Sequence, residues 1–401
     1  MSHPGTRRAR SFTAAHSGVR FRVSLSPKHT PIGLFSLAGV AGVLLLSCMA
    51  APPSSTRTFE GGRIRAASQV EAARVEDLVA RLRPELLEAL PDTSFAALEI
   101  WVQERPGLYR FNSEGTADAE GLWSPSHRRI MLSRHADHLE RTLVHELTHA
   151  ALGESWRMLP GSLEEGLADH VSASLCEDGA ARLRAGRLSS ACLATGGLAL
   201  DIDILPGARQ ARRGAPSSRG WSTRIRLKGD TPEADPLDVF RLAAGLSSTR
   251  LDIGAKRGFY GLAYLVVSRI AERGGYERLH ALCEQAAQRG DDEVAVEDVL
   301  LAARLGTDPA QWSRAAAQAM GREEIVELVR MYPDFLVQAI DGYLGTGAAG
   351  LDPREALADL EVSVRLAQGG ARVSLHDLPF VREAVLAAMP TTGDPILASA
   401  R

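Results

Sequence analysis

Two histidines and a glutamate stand close together in the segment Thr-Leu-Val-His-Glu-Leu-Thr-His, residues 142–149. On a helix, His145 and His149 would project from one face, one turn apart, so both imidazoles could bind a single metal ion. Glu146 would lie within reach of a water molecule on that ion. The segment therefore predicts metal-assisted hydrolysis, and the alternative is two surface histidines on an ordinary amphipathic helix.

A hydrolytic zinc site needs a third protein ligand and keeps a fourth position for water. The chain offers Glu165, in the segment Glu-Gly-Leu-Ala, with Glu164 as the alternative ligand. An aspartate-type site would use Asp169 instead. Glu165 also stands three residues after Ser162, so the alternative to a ligand role is that Glu165 merely completes a helix capping box.

The residues after the second histidine exclude one class of zinc peptidase. Metzincins have glycine and histidine where this chain has Leu152 and Ser155. An HExxH segment at 145–149 followed by Glu-Gly-x-Ala at 165–168 resembles the gluzincin peptidases, thermolysin-like and aminopeptidase N-like, and above all their short bacterial envelope branch, the peptidase MA-like proteins. The resemblance implies a zincin-like fold.

The resemblance also implies a role for each matching residue. His145, His149 and Glu165 would bind one Zn²⁺ ion, and Glu146 would act as the general base in the hydrolysis of a peptide or protein substrate. Asp169, one turn after Glu165, would orient a histidine ligand.

Residues 257–264 and the following helix resemble the family helix that brings a tyrosine to the site and ends at a glycine-rich turn. By its spacing to Gly274, Tyr260 matches the tyrosine that hydrogen-bonds the oxyanion, and Tyr264 is the alternative. Either residue could also be an aromatic side chain packed in the core. The exopeptidase motif GxMEN is missing, which favours an endopeptidase or a narrow specificity.

Hydrophobic periodicity predicts the elements that position these residues. Residues 67–90 predict an amphipathic helix, and residues 97–102 and 129–132 predict strands. The strand around Ile130 is expected at a sheet edge, where it could pair with substrate.

The histidine-bearing helix carries its own end signals. Asp137 with Glu140 predicts an N-terminal capping box, and Gly153 predicts a left-handed C-terminal residue. A second helix is expected to begin at Ser162, after Pro160-Gly161.

The C-terminal half has a different pattern. Residues 203–235 predict a flexible loop with a basic patch formed by Arg209, Arg212, Arg213, Arg219, Arg224 and Arg226. From Asp238 onward the pattern is mainly helical, including 325–343 and 360–366.

The expected fold class is α+β, with a small mixed sheet and the HExxH helix followed by a mainly helical subdomain. The expected organisation is a leader at 1–48, a linker at 49–64, a zincin N-terminal subdomain at 65–200, a helical C-terminal subdomain at 201–320 and a helical extension at 321–401.

The first 48 residues form a leader that differs from the rest of the chain. They contain six basic and no acidic residues, which leaves 40 basic and 49 acidic residues in the remainder. An apolar run from Ile32 to Leu46 precedes Ser47 and Cys48, and this ending resembles a bacterial lipobox with Cys48 as the lipidated residue. An uncleaved membrane anchor and a plain cleaved signal are the alternatives. Each predicts export to the bacterial cell envelope, and a lipoprotein there would be tethered on its periplasmic or surface face.

The composition and the cysteines bear on two further questions, the expected partner and a possible disulfide. A net charge of −3 over 401 residues gives no overall basic field, so nucleic acid is not an expected partner. An oxidising compartment would allow a disulfide between Cys176 and Cys192, whereas Cys283 lies in an apolar helical pattern. The expected function is a zinc metallopeptidase, and the competing hypothesis is a catalytically silent envelope lipoprotein of the same fold.

Overall fold

The computed structural model describes residues 55–95, 97–104, 120–206, 220–227, 231–242, 246, 249–345, 360–375 and 383. Its helices are α1 Gln69–Ala89, α2 Leu139–Ala151, α3 Gly161–Leu175, α4 Ala180–Ala194, α5 Ile253–Arg289, α6 Val296–Ala303, α7 Pro309–Ala319, α8 Arg322–Met331 and α9 Asp334–Gly345. Its strands are β1 Ser55–Phe59, β2 Gly62–Ala66, β3 Leu98–Gln103, β4 Gly121–Ser124, β5 Arg129–Ser133, β6 Leu198–Pro206, β7 Trp221–Leu227, β8 Leu360–Leu366 and β9 Arg372–Ser374. The α+β class is confirmed. None of the described helices is both long and apolar enough to cross a membrane.

The first sheet is mixed, with the strand order β1-β2-β3-β5-β4. Strand β3 runs parallel to β2 and β5, while β1 and β4 are antiparallel to their neighbours. Ile64, Ile100 and Ile130 pair across β2, β3 and β5 and are fully buried on the face that α1 and α2 cover. The two predicted strands are present as β3 and β5.

The hairpin β1–β2 corrects the linker predicted over 49–64, since regular structure begins at Ser55. Thr56, Arg57 and Thr58 pair in register with β2, and Gly61 has the positive φ that the tight turn requires. Strand β1 was not predicted because it is short and directly follows a Pro/Ser-rich stretch.

The second sheet is antiparallel, with the order β7-β6-β8-β9. It corrects two predictions. Strands β6 and β7 occupy part of the predicted loop 203–235, and residues 360–366 form strand β8 rather than a helix. In β8, Val362 and Val364 face inward while Glu361 and Arg365 face outward, which is the two-residue period of a half-buried strand. The helical extension predicted over 321–401 therefore includes strands that complete a sheet begun much earlier in the chain.

The helix ends also differ from the expectation. Helix α2 begins at Leu139 with His138 as its N-cap and without a side-chain cap, so the predicted Asp137–Glu140 capping box is not formed. Gly153 has φ −81° and ψ −178°, which is extended backbone rather than left-handed. Its N–H donates to the carbonyl oxygen of Asp92, which fixes the chain after α2 in an extended path.

Helix α5 lies at the centre of the remaining structure and packs against α3 and α4. Gly274 and Gly275 interrupt it with non-helical backbone angles, at the predicted glycine-rich turn. Helices α3 and α5 cross closely at Gly166, where a Cβ atom would lie 2.6 Å from the backbone oxygen of Ala263. This contact explains why glycine follows Glu165 and places the N-terminal half of α5 beside that residue.

Candidate metal centre

Helices α2 and α3 bring three potential ligand atoms together. The two histidine Nε2 atoms lie 3.3 Å apart, and the Glu165 carboxylate oxygen Oε2 lies 3.4 Å from that of His145 and 3.6 Å from that of His149. Among the described residues this is the one group of three or more His, Cys, Asp or Glu side chains with the spacing of a metal site. The structure thus brings the predicted ligands into one cluster.

The spacing fits a tetrahedral ion. Zinc bonds to histidine nitrogen and carboxylate oxygen are about 2.0–2.1 Å long, so two ligands of a tetrahedron are about 3.3–3.4 Å apart. The three observed separations lie at or slightly above that edge length. A mixed nitrogen and oxygen donor set without sulfur suits zinc and other divalent transition metals.

Carboxylates hold both imidazole rings from behind. His145 Nδ1 lies 3.1 Å from Asp169 Oδ1, and His149 Nδ1 lies 2.7 Å from Glu164 Oε1. When each Nδ1–H donates to its carboxylate, each Nε2 keeps its lone pair for a metal. The structure places Asp169 where the resemblance predicts it. It places Glu164, the alternative ligand, behind His149 instead of among the three clustered atoms.

The electrostatics of the cluster favour positive charge. Burial lowers the pKa of His145, but its hydrogen bonds to Asp169 and Glu165 outweigh burial and raise that pKa to about 9. The same competition raises the pKa of His149, and the two histidines hold the pKa of Glu165 well below its usual range despite burial. A site that stabilises protons this strongly would also stabilise a divalent cation once the protons leave.

Arg187 on α4 is a part of the site that the sequence analysis missed. Its Nε donates to Asp169 Oδ2 at 2.6 Å, and its guanidinium carbon lies 4.6 Å from the ring centroid of Tyr260. Burial raises the pKa of Asp169, but Arg187 and His145 reverse this effect and bring it to about 2. Arg187 lies outside any motif, so only the packing of α4 against α3 and α5 reveals its role.

Glu146 is buried beside the cluster but is not one of its three members. Burial raises the pKa of this carboxylate, and the two histidines oppose that shift. The backbone N–H of Trp123 on β4 donates to it. A Cβ atom at Gly121 would lie 2.8 Å from Glu146 Oε1, so the absence of a side chain lets β4 approach α2.

The identity of the edge strand corrects one prediction. Strand β5, which contains Ile130, lies between β3 and β4, so it is an inner strand. Among the described residues, strand β4, Gly121–Ser124, is the last strand of the sheet, and the N–H of its Trp123 donates to Glu146. The gap between the two predicted strands hid β4, since so short a strand does not show an alternating pattern.

The two tyrosines on α5 face different surroundings. The pKa of Tyr260 is raised by burial and by the charges of Glu165 and Asp169, which places its phenol in the field of the cluster. Tyr264 is buried, and its ring lies 5.5 Å from that of His170. Tyr260, which also contacts Arg187, is therefore the tyrosine whose pKa responds to the predicted ligand Glu165.

Two further predictions have definite outcomes in the structure. The Ser162 hydroxyl donates to the Val239 carbonyl rather than capping α3, which removes the capping-box explanation for Glu165. Cys176 and Cys192 are free buried thiols, so the predicted disulfide is not formed. Cys176 ends α3, whereas the Cys192 thiol donates to the Ser313 carbonyl on α7. Cys48 lies outside the described residues.

Comparisons with known proteins assign no relative to the chain. No family model matches the sequence, and no curated protein or solved structure is significantly similar to it.

Proposed function

We propose that the protein is a zinc-dependent metallopeptidase of the gluzincin type. The observation that supports the proposal most strongly is the triangle of His145, His149 and Glu165 with near-tetrahedral edge lengths. The buried carboxylate of Glu146, whose pKa is influenced by both histidines, supports the proposal further, because a general base must be a titratable group close to the bound water.

Each residue of the site has a definite task in this proposal. Zinc, when bound, supplies Lewis-acid chemistry by lowering the pKa of water and polarising a peptide carbonyl. Glu146 accepts the proton of the attacking water and returns it to the leaving amine. The phenol of Tyr260 donates a hydrogen bond to the oxygen on which negative charge develops.

The supporting side chains keep this arrangement in place. Asp169 and Glu164 hold the histidine rings in the metal-binding tautomer, and Arg187 neutralises Asp169. Strand β4 offers an edge to which an extended substrate backbone could add by strand pairing. The proposal includes membership of the peptidase MA-like branch and tethering at the bacterial envelope through Cys48 or an N-terminal anchor.

The test compares wild type with Glu146→Gln in the purified full-length protein. We expect about one zinc per chain in both and hydrolysis of a denatured protein substrate reduced by about 10²-fold or more in the variant. Glu140→Gln is the matched control, because Glu140 lies on the same helix and forms a half-buried ion pair with Arg81.

A folded wild-type protein that takes up no zinc would contradict the proposal. Zinc binding by a wild-type protein that cleaves nothing in a broad peptide library would instead favour the silent envelope lipoprotein.

A further inference from the structure

The outer face of the five-stranded sheet combines arginines with a row of apolar side chains. Strand register places Arg65, Trp101, Met131 and Leu122 side by side across β2, β3, β5 and β4. The next row contains Arg63 and Arg129. We call the face formed by these six residues the arginine face. Because side chains alternate along a strand, it lies opposite the face that α1 and α2 cover.

One buried acid only partly neutralises this face. Glu99 is 8% exposed and accepts hydrogen bonds from all three arginines, the one from Arg65 Nη2 at 3.5 Å, and from the indole Nε1 of Trp101 at 3.2 Å. The Nε of Arg65 is buried and has no hydrogen-bond partner among the described residues. Three arginines against one glutamate leave two positive charges here, although residues 49–401 contain 40 basic and 49 acidic residues.

The tryptophan of the face is held between two of the arginines. The guanidinium carbon of Arg129 lies 3.8 Å from the Trp101 ring centroid, and that of Arg65 lies 5.4 Å away. Guanidinium groups bind phosphate oxygens in a bidentate manner, and tryptophan favours the level of lipid headgroups. This pairing on a sheet surface matches the chemistry of an anionic bilayer surface better than that of a pocket ligand.

The position of the sheet in the chain points to the same partner. The described structure begins at Ser55 in β1, the first strand of this sheet, and Cys48 precedes it by seven residues. Seven extended residues span at most about 25 Å. A lipid on Cys48 would therefore keep the edge of this sheet within about that distance of the bilayer.

We propose that the arginine face docks on anionic phospholipid, with headgroup phosphates on its guanidinium groups and Trp101 at headgroup level. This inference does not depend on the proposed peptidase activity. The tether that brings the sheet near the bilayer is the lipid on Cys48 in the predicted leader.

The experiment uses the full-length chain reconstituted in phosphatidylcholine vesicles with and without phosphatidylglycerol, with acyl chains brominated near the headgroup as a fluorescence quencher. We expect tryptophan quenching that requires phosphatidylglycerol, weakens at high salt and is lost in Trp101→Phe. Trp221→Phe, in the other sheet, should keep it. Arg65→Gln should weaken the contact about fivefold, which corresponds to about 1 kcal/mol per basic residue at an anionic surface. Arg224→Gln on β7 should leave it unchanged.

Three results would overturn the proposal. Quenching that is absent, or that persists in Trp101→Phe, would show that the face does not meet the lipid. Equal quenching without phosphatidylglycerol would exclude recognition of anionic headgroups. A Trp101 signal that follows protein density rather than lipid composition would assign the face to contacts between copies of the chain. The salt dependence is measured on wild type, so the test does not rest on the folding of any variant.

Discussion

Replacing Glu164 by alanine removes one hydrogen-bond acceptor behind His149 without replacing any of the three proposed ligands. The 2.7 Å contact between its carboxylate and His149 Nδ1 fixes the ring that we propose binds zinc. Loss of such an orienting partner typically weakens metal affinity 10- to 100-fold. The side chain of Glu164 is 36% exposed, so water can replace part of the lost hydrogen bond. We therefore expect zinc affinity to fall about tenfold, or about 1.4 kcal/mol.

The assay is a competition titration of zinc against a chromophoric chelator at fixed pH, combined with urea unfolding of the zinc-free protein. Glu164→Gln keeps a carbonyl acceptor and should recover most of the affinity. Glu154→Ala is the control, since Glu154 lies between the two site helices and is 82% exposed. Wild-type affinity in Glu164→Ala would refute the orienting role. A loss of zinc-free stability as large as the loss of binding energy would reassign Glu164 to folding.

Three other changes should have distinct signatures. Asp169→Asn should weaken zinc binding about 100-fold, because the Asp169 side chain is only 3% exposed, and should lower the free energy of unfolding by about 3 kcal/mol, because Arg187 loses its counter-charge. Equal losses of zinc affinity in the Asp169 and Glu164 variants would contradict the larger effect expected at Asp169. The metal-free protein should lose thermal stability as pH rises from about 6.5 to 9, because the pKa of His145 is about 9 in the folded protein and 6.5 in the unfolded chain. The stabilisation from this proton is fully present below pH 6.5 and is lost as pH rises through 9. A melting temperature that does not change over this range would contradict the raised pKa. Gly121→Ala should cut hydrolysis at least tenfold with zinc content unchanged, since the new methyl group displaces Glu146, whereas Gly186→Ala, at a position with open space, should be neutral in both measurements.

The parts of the site that depend on local spacing could be predicted from the sequence. His145 and His149 converge because they share one turn of α2, and Asp169 follows Glu165 by one turn of α3. Sequence could not separate Glu164 from Glu165 as the ligand. Neighbouring helical residues point about 100° apart, so the way α3 packs against α2 decides which carboxylate meets the Nε2 atoms.

Contacts between distant segments were the parts that sequence did not predict. Arg187 reaches Asp169 only because α4 packs against α3 and α5, and no periodic pattern marks it. Strand β8 alternates with period two, yet its hydrogen-bond partner β6 lies far away in the sequence. The predicted disulfide failed for the same reason, because proximity in sequence between Cys176 and Cys192 says nothing about the direction of their side chains.

X-ray absorption at the zinc edge of the purified full-length protein tests the central claim most directly. The account predicts one zinc per chain with two imidazole nitrogens and carboxylate or water oxygen at about 2.0–2.1 Å, and no sulfur at about 2.3 Å. The imidazole scattering should fall by half in His149→Gln. A sulfur ligand, a shell of oxygen atoms alone, or the absence of bound zinc from the folded chain would contradict it.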